Sequence, residues 1–183
     1  MLAPKRDHLA LKSDCIAPAL GHYARAEAGG MMDKTLERWL DWPPVWMLAG
    51  VALIAFLGWI GFPFGFGIYG PGLALACLII GFWLAGAAFF RMRRARTTVN
   101  PRGTPSALVT GGVFGLTRNP IYLGDVFVLL AASFWFDAIL GLGVAAAFVL
   151  IVTERFIKVE EDRLGAAFGD EAAEWFSRTR RWI

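Results

Sequence analysis

Apolar residues run without a single charge from Trp42 through Phe90. That stretch is long enough for two membrane-spanning helices of about 20 residues each. Pro43-Pro44 marks the start of the first, because proline is tolerated in the opening turn of a helix, and the predicted span covers Val45–Phe62. Trp39, Trp42 and Trp46 cluster at that end, as interfacial aromatics do. A turn rich in Gly, Pro and Phe follows over Phe62–Gly72, then a second span over Gly72–Phe90. Gly81, Ala85 and Gly86 in that span would let another helix come close. Polarity then changes abruptly to a basic loop, Arg91–Thr104. The apolar pattern resumes as a hairpin, Tyr122–Phe136 and Ala138–Thr153, with Asp137 at its tip; each arm is short for a full crossing. Beyond Thr153 the chain is charged and amphipathic. Leu164 and Phe168 share a helix face at i,i+4. Trp175, Phe176 and Trp182 predict a helix lying back on the bundle or on lipid headgroups.

Composition sharpens this pattern. The chain has 183 residues, 57% of them hydrophobic, where about 45–50% is usual for a soluble domain. The expected fold is therefore all-α and integral to the membrane: about four transmembrane helices, the last two a short hairpin, plus a cytoplasmic C-terminal amphipathic helix. Residues 32–183 form the membrane domain. Residues 1–31 are a polar extension that lacks the apolar core of a signal peptide, and Met31-Met32 offers an alternative start of translation.

The charges report topology. Arg91, Arg93, Arg94, Arg96, Arg102 and Arg118 lie between the second and third apolar blocks; Arg155, Lys158, Arg163, Arg178, Arg180 and Arg181 follow the last. The turns at Gly61–Gly72 and Phe136–Ala138 hold no Lys or Arg. The positive-inside bias then makes the protein multi-pass with both termini in the cytoplasm. Arginines that flank spans in this way need no nucleic-acid partner to explain them. Cys15 and Cys77 make neither a disulfide framework nor a zinc spacing. The two histidines, His8 and His22, sit in the extension, so neither a metal site nor a histidine-based triad is expected in the core.

Candidate chemistry falls in Leu108–Gly124, LVTGGVFGLTRNPIYLG, a stretch too irregular for a lipid-facing helix. Non-helical backbone at membrane depth persists only where protein or a cavity satisfies its amides. Gly111-Gly112 allows backbone to approach a ligand, and Gly115 adds freedom. Asn119 precedes Pro120 and is pushed toward extended geometry. Tyr122 opens the third span with its hydroxyl near the interface; a tight re-entrant turn would use the same residues. Glu154, Glu160 and Glu161 follow the hairpin. A glutamate close to the membrane requires a partner, and Arg118 and Arg155 are candidates; a solvated acidic turn is the alternative.

The order of this loop, an apolar hairpin, and EEDRLGAAFGDEAAEWFSRTRRWI resembles the isoprenylcysteine carboxyl methyltransferases and the related phospholipid methyltransferases over roughly residues 72–183. The shared pattern is a Leu-Val-Thr-x-Gly-x-Tyr loop, an Arg-His-Pro-x-Tyr-x-Gly turn, and a Glu-Glu-x-x-Leu…Phe-Gly segment ending near Arg-Trp-Ile. The resemblance implies a site for S-adenosyl-L-methionine on Ser106, Ala107, Leu108 and Val109, on Phe114, on Asn119, Pro120, Ile121 and Tyr122, and on Glu160. Arg118 and Tyr122 are the positioning candidates. Glu160 would take the cofactor's ammonium. Arg118 would take its carboxylate or anchor the turn at the headgroups. Asn119 replaces the usual histidine and cannot titrate near neutral pH. Ser106 also stands where the carboxyl methyltransferases carry histidine, and Phe114 where tyrosine is usual. Phe156 occupies the position of the arginine that holds a prenylcysteine carboxylate, with Arg155 one residue, or about 100° of helix, away. The implied function is methyl transfer to a small lipophilic or lipid acceptor bearing a carboxyl, thiol or amine. Two alternatives stand beside it: an NADPH-dependent reductase of the sterol and steroid type, and a non-enzymatic membrane scaffold.

Overall fold

The computed structural model describes residues 42–62, 64–97 and 106–183. The extension 1–31, with Met31-Met32, lies outside the described residues, as does most of the basic loop. The described chain is helical and contains no strand.

Helix α1 spans Pro43–Ile60, its two prolines in the opening turn where their missing amides cost nothing. Gly61, at φ +76°, ends it. A short 3-10 turn, Gly67–Tyr69, leads into α2, Gly70–Arg94. At 25 residues and 1.5 Å per residue, α2 is longer than the roughly 30 Å hydrocarbon core. It does not stop at Phe90, as the polarity change predicts. Arg91, Arg93 and Arg94 form its last turn, where cations complement the negative end of the helix dipole. The loop returns through a 3-10 turn, Gly112–Gly115, to α3, Pro120–Trp135.

Helix α4 spans Gly141–Val152, and its end is the main departure from expectation. A π-helical turn, Thr153–Ile157, carries it without a break into α5, Lys158–Arg178. No loop separates the hairpin's second arm from the C-terminal helix. The bend falls later, at Gly169, whose φ of +52° only glycine adopts readily.

Among the described residues, α1 and α2 are the helices long and apolar enough to cross a bilayer, while α3 is a shorter apolar helix. Both long helices turn large apolar side chains outward: Trp59, Phe82 and Phe90 are 82%, 68% and 72% exposed. A core helix pair of a water-soluble protein would hide these residues, and a patch of this extent marks a surface made for lipid or a partner. The inner faces form two clusters. One gathers Ile54, Leu129, Phe148, Val152 and Ile157 between α1, α3, α4 and the π-helical turn. The other gathers Leu84, Val113, Phe114, Leu123 and Trp175 between α2, the return loop, α3 and α5.

Helix α3 is the hub and packs on α1, α2 and α4. It meets α2 backbone to backbone. A Cβ at Gly124 would lie 2.8 Å from the Gly81 carbonyl oxygen, and one at Gly81 would lie 2.9 Å from that of Gly124. Ala85 completes the contact, at 3.5 Å from such a Gly124 Cβ. Gly86, expected in the same seam, is different: a Cβ there would meet nothing within 4 Å, because it lies one residue, about 100°, around the helix from Ala85. Overpacking of this kind costs roughly 1–3 kcal/mol. Gly81→Ala and Gly124→Ala are each expected to lower the melting temperature in detergent, while Gly86→Ala leaves it unchanged.

Candidate functional site

The return loop is held by the end of the chain. Arg118 N–H donates to the Arg180 carbonyl at 3.0 Å. The Arg181 carbonyl accepts from Thr117 Oγ1 at 3.1 Å and from Asn119 Nδ2 at 3.0 Å. Asn119 N–H also donates to Thr117 Oγ1 at 3.2 Å. Asn119 has φ −127°, the extended geometry expected before proline, and buried Pro120 starts α3. The residue that stands in place of the usual histidine thus spends its amide on the C-terminal segment.

Two glutamates at the start of α5 close on this loop. Glu161 receives a forked contact from Arg181, Nε to Oε1 at 3.0 Å and Nη2 to Oε2 at 2.5 Å. It also receives Arg118 Nη1 at 3.2 Å. Both Arg118 and Glu161 side chains are only 14% exposed. Burial lowers the Arg118 pKa, and the Glu161 charge offsets that. The Arg118 guanidinium lies 4.8 Å over the Phe176 ring, and its Nε is buried with no hydrogen-bond partner.

Glu160 turns toward α3, where it and the buried Tyr122 share a side-chain hydrogen bond. Burial, and then the Glu161 charge, push the Glu160 carboxyl from 4.5 up to about 7; Arg163 and the Tyr122 hydroxyl pull it back. Arg118 and Tyr122, expected from the loop, therefore meet the paired glutamates expected from the C-terminal segment. The partner of Arg118 is Glu161. Arg155 points elsewhere, 5.6 Å from the Trp46 ring on α1. Arg155 and Phe156 both lie within the π-helical turn Thr153–Ile157, where Phe156 is half-buried against the core and Arg155 is exposed. Glu154 pairs with Lys158 on the exposed side.

The remaining expected residues divide. Leu108, Val109 and Ile121 pack around buried Phe114 and Trp175, and the Phe114 carbonyl accepts from Trp175 Nε1 at 3.0 Å. Ala107 is half-buried beside them in sequence. Ser106 is exposed at the far end of the loop, its hydroxyl donating to the Arg96 carbonyl at 2.9 Å. Gly112, at φ +68°, admits the Arg91 side chain: a Cβ there would sit 2.7 Å from Arg91 Nε. The C-terminal aromatics lie on the bundle, since Trp175 is buried and Trp182 Nε1 donates to Thr153 Oγ1 at 3.2 Å.

Sequence reasoning missed Asp125 and the Arg181 clamp. Asp125 is half-buried on α3, three residues beyond Tyr122 on the same face, and makes no hydrogen bond or ion pair among the described residues. Its signal was available: a lone acid inside an apolar span is costly and functional by default. Arg181 gave no such signal, because a terminal arginine reads as topology.

Residues 71–171 match the phospholipid methyltransferase family. The chain belongs to that family, in agreement with the resemblance read from the loop, the hairpin and the Glu-Glu segment. This places it in a family of membrane methyltransferases. Comparison with curated proteins and with solved structures returned no match.

Because the folded Glu160 holds its proton above the unfolded value, the native state binds more protons than the unfolded one between those two pKa values. Its contribution to stability is then greatest below about pH 4.5, falls as pH rises, and levels off above about pH 7, by at most about 1.4 kcal/mol per pH unit. In thermal unfolding, Glu160→Gln is expected to gain on the wild type between about pH 5 and pH 7. Parallel profiles would contradict the buried placement of this carboxyl.

Proposed function

We propose that the chain is a multi-pass membrane methyltransferase that uses S-adenosyl-L-methionine to methylate a lipophilic or lipid acceptor, with both termini in the cytoplasm. The observation that carries this reading is the convergence of Tyr122, Glu160 and Arg118 at one end of α3. Glu160 is a half-buried carboxyl with the Tyr122 hydroxyl for a partner and Arg163 nearby on its own helix. Arg118 keeps a buried Nε donor unpaired. An acceptor poised to ionise beside an orphan donor fits the ammonium and carboxylate of an amino-acid group. Glu160 would hold the first and Arg118 the second, with Tyr122 orienting Glu160. Ala107 to Val109, Phe114 and Asn119 to Ile121 would form the surrounding wall, with Ser106 at its exposed outer end.

The bound cofactor supplies a methyl group on a sulfonium, activated without help from the protein. The chain's part is to align the acceptor and exclude water. Among carboxyl, thiol and amine acceptors, Asp125 favours the amine, which arrives as a cation and must lose a proton before it can attack. The polar cofactor reaches the site from the basic, cytoplasmic side, and the acceptor enters from the bilayer between helices.

Titration calorimetry of purified protein in detergent with S-adenosylhomocysteine tests the reading. Binding is expected, weakened at least tenfold in Glu160→Ala, which at 1.4 kcal/mol per decade is within the range of one charge-assisted hydrogen bond. Tyr122→Phe is expected to weaken it less. Absence of binding, or equal binding by both variants, would contradict it.

A further inference from the structure

A groove of about 390 Å³ lies on the other face of the return loop, between the last turns of α2 and the 3-10 turn. Its volume falls within the range of small-molecule sites. It shares no lining residue with the Tyr122–Glu160 cluster. Trp83, Ala87, Phe90, Arg91 and Arg94 line it from α2, and Leu116 faces them from the loop. Ala87 is small and lies between Trp83 and Arg91 at i,i+4 spacing, so its missing bulk makes the hollow.

The two ends of the groove differ in chemistry. Trp83, Phe90 and Leu116 are 57%, 72% and 65% exposed and form an apolar wall. Arg91 and Arg94 are exposed at the charged end of the helix, and neither meets a carboxylate among the described residues. Arg91 is also held in place, because the loop backbone at Gly112 seats directly on its guanidinium. Arg93 lies elsewhere on the helix end, 5.8 Å over the Phe89 ring. Topology alone asks only for positive charge near the membrane surface. It does not account for two guanidinium groups facing one hollow with an aromatic and leucine wall beneath them.

We propose that this groove binds an anionic membrane phospholipid, its headgroup phosphate between Arg91 and Arg94 and an acyl chain along Trp83, Phe90 and Leu116. The charge matches: two cations that meet no carboxylate among the described residues select a headgroup with net negative charge over a zwitterionic one. The site needs no methyl transfer and stands or falls separately from that reading.

The test is native mass spectrometry of the detergent-solubilised protein titrated with phosphatidylglycerol, phosphatidylcholine or glycerol phosphate. Phosphatidylglycerol is expected to be retained in preference to phosphatidylcholine, and glycerol phosphate alone not to compete. A basic residue near an anionic surface contributes about fivefold, so Arg91→Ala with Arg94→Ala is expected to reduce phosphatidylglycerol affinity about 30-fold. Arg93→Ala is expected to leave it unchanged. Ala87→Phe, which fills the hollow and keeps both arginines, is expected to abolish the preference, so the outcome does not depend on the double variant folding. Equal retention of the two lipids, a preference that survives the double variant or Ala87→Phe, an equal loss in Arg93→Ala, or binding of glycerol phosphate as tight as that of the lipid would overturn the proposal.

Discussion

One carboxylate organises the site. Glu161, at the start of α5, accepts from Arg181 in the C-terminal segment and from Arg118 in the return loop. Three segments far apart in sequence are thereby fixed to one another. Forked guanidinium contacts set orientation as well as distance, and the partial burial of Arg118 and Glu161 makes the loss of one partner costly, because the other charge is left in place. With Arg118 held, the backbone contacts from Thr117 through Asn119 to Arg180 and Arg181 follow. Pro120 can then start α3 with Tyr122 directed at Glu160.

This arrangement sets the electrostatics. Burial and the neighbouring Glu161 charge together keep Glu160 protonated to about pH 7, against the pull of Arg163 and the Tyr122 hydroxyl. A carboxyl in that state gains its charge most readily when a cation arrives beside it. The tight α2–α3 crossing at Gly81 and Gly124 matters for the same reason: α3 carries Tyr122 and Asp125, and its position against α2 fixes how far both lie from α5.

Much of this fold was legible in the apolar runs. The start of α1 followed from Pro43-Pro44, that of α3 was expected at Tyr122, just after the observed Pro120, and the close helix seam followed from Gly81 and Ala85. Helix ends were not legible, because composition marks a change of solvent and not a break in hydrogen bonding. Thus α2 continues through Arg91–Arg94, and α4 passes through a π-helical turn into α5 where a polar boundary predicted a stop. In the candidate site, the family resemblance pointed to Tyr122 and Glu160, which the structure brings together. Asp125 was overlooked inside an otherwise apolar span, and the role of Arg181 depends on tertiary contact that no local pattern encodes.

If the Glu161 clamp holds the return loop in place, removing its charge must loosen that loop before anything else. Hydrogen exchange of the detergent-solubilised protein, with and without Glu161→Gln, reads this amide by amide. Amides from Thr117 to Tyr122, and that of Arg118 above all, are expected to lose protection while the α2–α3 crossing around Gly81 and Gly124 keeps it. Unchanged protection across the loop would contradict the clamp.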